Sequence, residues 1–134
     1  MKSTCTWVNG YQSVINNGRN HSVVIDLPQK NDGKDLGATA LELANMSLNG
    51  CIVTIFSMVA AKMRLKFEKL EVELDAQKAP EESTVSGVFF EFRIKTEESA
   101  ERVEKCLNQT LKTCPVGVLY EKAGIETEYR IVML

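Results

Sequence analysis

Three short runs holding apolar and β-branched positions, each set off by a turn signal, occupy the first third of the chain. Thr4 to Val8, Tyr11 to Ile15 and His21 to Leu27 read as strands of a meander, separated by Asn9-Gly10 and Asn17-Gly18. Asn-Gly is a strong hairpin signal because both residues tolerate the positive φ of a type I′ turn. Pro28 to Gly37 (PQKNDGKDLG) has no periodicity and reads as a turn-rich polar loop. A long apolar helix is then expected from about Thr39 to Met63. Leu70, Val72 and Leu74 alternate with Glu71 and Glu73, and Val88, Phe90, Phe92 and Ile94 alternate with Phe89, Glu91, Arg93 and Lys95. These are two strands, each with one wet face, and an antiparallel pair is expected. Thr96 ahead of Glu97 and Glu98 reads as a helix cap with acids in the first turn. Ala100, Val103, Leu107 and Leu111 follow at helical spacing up to about Thr113. A short helix after Pro115 and a strand from Ile125 to Met133 complete the chain.

Strands in groups with few helices predict an α+β fold with antiparallel pairing, not a doubly wound sheet. The length of 134 residues favours one domain over 1–134. The central run from Leu43 to Ala61 holds no charge over 19 positions, close to the ~20 needed to cross a bilayer. Asn45, Ser47, Asn49, Gly50, Thr54 and Ser57 interrupt it and no aromatic belt flanks it, so a helix buried within protein is the expected reading. Burial on nearly all sides in so short a chain calls for a second subunit. With a formal net charge of −2 and no run of Lys or Arg, a nucleic-acid partner is not expected.

Four cysteines (Cys5, Cys51, Cys106, Cys114) and His21 are the candidate soft or imidazole groups. They lack the C-x-x-C and H-x-x-x-H spacings of zinc sites, so neither metal nor cofactor is expected. The first residues lack the apolar core of a signal peptide, which points to the cytoplasm and to reduced thiols. Cys114 precedes Pro115 at a helix start, where the helix dipole favours a thiolate. Cys51, after Gly50 in the apolar helix, reads by itself first as a small core residue. Cys106 reads as core filler. Cys5 has no assigned role, and His21 reads as a strand residue.

Gly33-Lys34-Asp35-Leu36-Gly37-Ala38-Thr39-Ala40-Leu41-Glu42-Leu43, leading to Leu48-Asn49-Gly50-Cys51, resembles the signature of the OsmC and organic hydroperoxide resistance family. There a Gly-rich loop precedes a Pro-x-Glu-Leu-like helix start, with a cysteine about nine residues after the glutamate. Thr113-Cys114-Pro115-Val116 matches the family's Cys-Pro element, 63 residues after Cys51. Ala40 stands where the family usually has proline, and Leu41 where the hydroperoxide resistance branch has its glutamate. The chain therefore looks more like the general OsmC-like branch.

The resemblance implies antiparallel sheets around a long central helix in an intertwined homodimer. It implies thiol-dependent reduction of organic hydroperoxides, with Cys51 oxidised to a sulfenic acid, Cys114 resolving it as a disulfide, and an external dithiol as reductant. By the same analogy Arg19 would supply positive charge to the thiolate, and Glu42 would be its carboxylate partner. Nine helical residues rise about 13 Å, so Glu42 would act on the site of a second subunit. The alternative is an OsmC-fold dimer that binds a small apolar or electrophilic ligand without turnover.

Overall fold

The computed structural model describes residues 1–134, which form two compact units, Met1–Ala44 and Asn45–Leu134. In the first, β1 (Thr4–Asn9), β2 (Gln12–Asn16) and β3 (Ser22–Ile25) make an antiparallel sheet in the order β1-β2-β3. The first turn is centred on Gly10 and Tyr11 rather than on Asn9-Gly10; Gly10 takes a φ of +50° while Tyr11 does not enter the left-handed region, so the turn is not type I′. The second connection is longer than a two-residue hairpin. Asn16 Oδ1 accepts the Gly18 N–H at 2.6 Å, and Asn17 Oδ1 accepts those of Arg19 and His21, at 2.8 and 3.3 Å. The asparagines thus act through their side chains and build a wider loop.

The polar segment after β3 is organised by Asp26, which is almost completely buried. Its carboxylate accepts the N–H groups of Leu27, Lys34 and Leu36 at 2.8, 3.2 and 3.1 Å. Burial opposes its charge, but these donors and Lys34 outweigh it and hold the carboxyl below its ordinary value. The chain closes tightly on itself here. A Cβ at Gly33 would lie 1.8 Å from the Leu27 carbonyl oxygen, and one at Gly37 2.3 Å from that of Val24.

Helix α1 (Ala40–Met63) starts in the first unit and continues into the second. It is long and apolar enough to cross a membrane by length and composition. Within this chain, however, its buried residues form a stripe rather than a full circumference: Leu48, Ile52, Phe56 and Ala60 are in the core, whereas Met46 and Met58 are exposed. It ends with Arg64 at φ +54°, the Arg64 N–H on Ala61 O and the Leu65 N–H on Ala60 O. This is a Schellman cap without the usual glycine.

In the second unit, β4 (Lys69–Gln77) pairs antiparallel with β5 (Gly87–Lys95) as expected, with Val72 opposite Phe92. Strand β6 (Glu126–Met133) pairs with β5 in parallel, with Phe92 opposite Ile131. That departs from the all-antiparallel expectation. The reason lies in the connection, which holds α2 (Ala100–Thr113) and α3 (Pro115–Lys122) and is long enough for the crossover that parallel strands require. The cap of α2 is Ser99, which accepts the Arg102 N–H, and not Thr96. Thr96 Oγ1 instead accepts the Glu98 N–H and donates to Lys66 O, which secures the turn before the helix.

The core joins one face of this sheet to α1 and α2. Phe56 meets Phe92 at 4.7 Å between ring centroids, and Phe90 stacks on Tyr129 at 5.4 Å. On the opposite face Glu91 is held by Arg93 and Arg130, and Arg93 also reaches Glu71 (3.2 Å) and Glu73 (2.9 Å).

Candidate active site

Two elements of the second unit bring the cysteines together. Cys51 sits in the middle of α1, one position before core residue Ile52, and is half-buried. Cys114 is placed by proline chemistry. A residue before proline is driven out of the helical region, and Cys114 accordingly lies at φ −68°, ψ 111°. This ends α2 and makes Cys114 the N-cap of α3, with Pro115 in the first turn. Its N–H still donates to Thr110 O (2.8 Å), while its Sγ accepts the Gly117 N–H (3.3 Å). Buried at this bend, the Cys114 thiol donates to Cys51 Sγ at a sulfur–sulfur distance of 2.8 Å.

The helix start does not make Cys114 a thiolate. Burial and the neighbouring Cys51 sulfur push its pKa up to about 11, against the N–H groups of Gly117 and Val116. Cys114 therefore keeps its proton at neutral pH and offers it to Cys51. The pair is asymmetric. Cys51 is the more accessible sulfur and the hydrogen-bond acceptor, and Cys114 is the enclosed donor.

A cleft of about 480 Å³ lies on the same unit, lined by Leu48, Ile52, Leu111, Gly117 and Ile125 with Lys112 and Glu121 at its polar margin. Ile52 follows Cys51 in α1, and Gly117 carries the N–H that caps on Cys114. Of the apolar residues around Cys51, Ile52 and Phe56 belong to the core, and Ile55 and Met58 line a separate cavity of about 340 Å³.

Arg19 and Glu42 fold in the other unit. Arg19 is exposed in the β2–β3 loop, where its backbone N–H is bound by Asn17. Glu42 has a local task. Its Oε2 accepts the Thr39 N–H at 2.7 Å, while Thr39 Oγ1 accepts the Glu42 N–H at 3.2 Å. This reciprocal pair is a capping box, and Thr-x-x-Glu is its sequence signature. Cys106 is fully enclosed on the inner face of α2, Cys5 is exposed in β1, and His21 is exposed just before β3.

One contact was not legible in the sequence. Tyr120 Oη of α3 donates to Asn45 Oδ1 of α1 at 2.9 Å. Tyr120 lies six residues after Cys114, and Asn45 six before Cys51. That mirrored spacing was the available signal, but it has meaning only once α1 and α3 are known to lie side by side.

No curated protein matches the sequence. Among solved structures, an OsmC-like protein from Mycoplasma pneumoniae is similar at a TM-score of 0.87, with 12% identity over 99% of this chain and 96% of its own. The organic hydroperoxide resistance protein OsmC of Legionella pneumophila gives 0.73 at 13% identity, covering 98% and 96%. For OhrB of Bacillus subtilis, also an organic hydroperoxide resistance protein, the values are 0.67 and 13%, again over 98% and 96%. These likenesses establish the α+β fold over nearly the whole chain. Residues 32–130, which include the Gly-rich loop, Cys51 and the Cys-Pro element, match the sequence profile of the OsmC-like proteins. The chain belongs to the OsmC-like protein family.

Proposed function

We propose that this chain is a cysteine-based peroxidase that reduces organic hydroperoxides in oxidative stress defence. The observation that carries the reading is the 2.8 Å approach of Cys114 Sγ to Cys51 Sγ in a member of this family. In the first step the Cys51 sulfur, as thiolate, attacks the terminal peroxide oxygen. The O–O bond breaks, the sulfenic acid of Cys51 forms, and the alkoxide takes a proton and leaves as the alcohol. The Cys114 thiol, whose hydrogen bond ends on Cys51 Sγ, is already in place for the second step. In the second step Cys114 attacks the sulfenic sulfur. The disulfide forms, and the proton of Cys114 leaves with the hydroxyl as water. An external dithiol then reduces the disulfide and is itself oxidised.

The reading includes a cytoplasmic homodimer. Trp7, Tyr11 and Val23 of the first unit are 70%, 57% and 46% exposed, and Met46 and Met58 of α1 more than half exposed. So many uncovered large apolar side chains fit a surface closed by a second copy. Arg19 and Glu42 would serve the site of that second copy. A competing reading, ligand binding without turnover, draws on Glu42, whose carboxylate is engaged in the helix cap.

Counting free thiols by mass spectrometry, before and after one equivalent of cumene hydroperoxide, tests the reading. Loss of two thiols and a Cys51–Cys114 linked peptide is expected, with a dimeric mass under native conditions. Cys51→Ser abolishes peroxide consumption, and Cys114→Ser halts after one turnover at the sulfenic acid. Four unreacted thiols in the native chain would leave the ligand-binding reading, and a monomeric mass would remove the dimer.

A further inference from the structure

The geometry points to Tyr120 as a positioning residue that, through Asn45, aims Cys114 at Cys51. The inference rests on the reading of the two cysteines as a redox pair. Helices α1 and α3 are tied by two polar side-chain contacts, Cys51 with Cys114 and Asn45 with Tyr120. The lower-numbered residue of α1 meets the higher-numbered residue of α3, so the two segments run in opposite senses past each other. Six helical residues rise about 9 Å, so the contacts lie near opposite ends of the shared stretch.

A single contact between two rods leaves a pivot, whereas two contacts well apart set the crossing angle. Helix α3 is short, at eight residues, and starts at the bend imposed by Pro115. Few of its side chains are in the core, and Leu119 points out at 65% exposure. The Tyr120 hydroxyl is the polar group that holds its far end to α1. The ring is half-buried and its hydroxyl pKa is raised by burial, so it stays a donor to Asn45 through neutral and mildly alkaline pH. With this bond in place the sulfurs are held together before oxidation, and closing the disulfide orders little further. Without it α3 swings about its bend, and disulfide formation must first arrest that motion, which lowers the effective concentration of one sulfur at the other.

Equilibration of the reduced protein with glutathione buffers tests this without any peroxide. The protein dithiol and one glutathione disulfide exchange to one protein disulfide and two glutathione thiols, so two electrons pass from protein to glutathione. Tyr120→Phe keeps the ring and removes only the donor. It is expected to lower the equilibrium constant for the Cys51–Cys114 disulfide about threefold to tenfold, the range of one net hydrogen bond. Asn45→Asp, which keeps an acceptor, is expected to stay near the native value. After peroxide, the Cys51 sulfenic acid of Tyr120→Phe should be trapped by dimedone in correspondingly greater yield.

A lower melting temperature with an unchanged glutathione constant would show a structural contact alone and overturn the inference. A native chain that forms the disulfide in glutathione but consumes no cumene hydroperoxide would overturn the peroxidase reading and leave the positioning role standing. No Cys51–Cys114 disulfide under either oxidant would overturn both.

Discussion

The two units of the chain are held by different physics. Asn45–Leu134 is built on burial: Phe56, Phe90, Phe92, Ile94, Val103 and Leu107 are fully enclosed. In Met1–Ala44 the enclosed side chain is a carboxylate, that of Asp26, while Trp7, Tyr11 and Val23 lie open. The second unit holds its shape through apolar contact. The first does so through strand ladders, N–H groups converging on Asp26, and close backbone approaches at Gly33 and Gly37. Similar strand patterns in the sequence thus lead to opposite surroundings. An alternating strand states which side chains share a face, not what will cover that face.

The largest effect is expected in the second unit. Phe92→Ala removes a ring packed on Phe56 and should destabilise the protein by about 3–5 kcal/mol. Because Trp7 is the single tryptophan and lies in the first unit, its fluorescence follows that unit, while far-ultraviolet circular dichroism follows the helices. Chemical denaturation of Phe92→Ala should bring the helical transition to much lower denaturant. An unshifted helical transition would break the contrast between the units.

Gly33→Ala attacks the first unit, where the added Cβ would collide with the Leu27 carbonyl. A cost of about 1–3 kcal/mol is expected from forced displacement. Hydrogen exchange should quicken over 26–38 first, with the β4–β5 pair protected as before. Equal loss in both regions would mean that the units fold as one.

The smallest effect is set by pH. Burial raises Cys106, Tyr120 and Tyr129, and burial together with Cys51 raises Cys114 to about 11; all four belong to the second unit. A raised value means that the folded state favours the protonated form. For Cys114 this stability is present below the ordinary thiol value of 9.0 and is lost as pH rises through about 11. Reduced protein should therefore lose melting temperature between these values, and Cys114→Ser should lose less. The same alkaline decline in Cys114→Ser would assign it to other groups. Asp26 and Glu91 carry lowered values, one in each unit, so acid is expected to weaken both.

Much of this was readable from local chemistry. The order of strands and helices followed from periods of two and 3.6, and the bend at Cys114 from the restriction that Pro115 imposes. Thr39-x-x-Glu42 also carried its own explanation as a capping box. Glu42, which the resemblance would set at the thiol of a second subunit, has this shorter-range task in the helix start of its own chain. The wider loop at Asn17-Gly18 was misread for a local reason: the asparagine side chains bind backbone N–H groups that a tight hairpin would leave to the strands.

What the sequence determined by itself is what depends on neighbours within a few residues. That includes the ends of α1, the start of α3 after Cys114, the wet and dry faces of β4 and β5, and the two motifs that mark the family. The tertiary structure decided everything that joins distant segments: the parallel pairing of β5 with β6, the burial of Asp26, the 2.8 Å meeting of Cys51 with Cys114, and the Tyr120–Asn45 bond. Lys34 and Leu36 reach Asp26 from eight and ten residues away, and Asn45 lies 75 residues from Tyr120. Local propensity cannot encode such pairings, because their energies arise only after packing has removed water and fixed the separations. The proton on Cys114 is one such outcome. A helix start alone favours the thiolate, and enclosure beside a second sulfur reverses it.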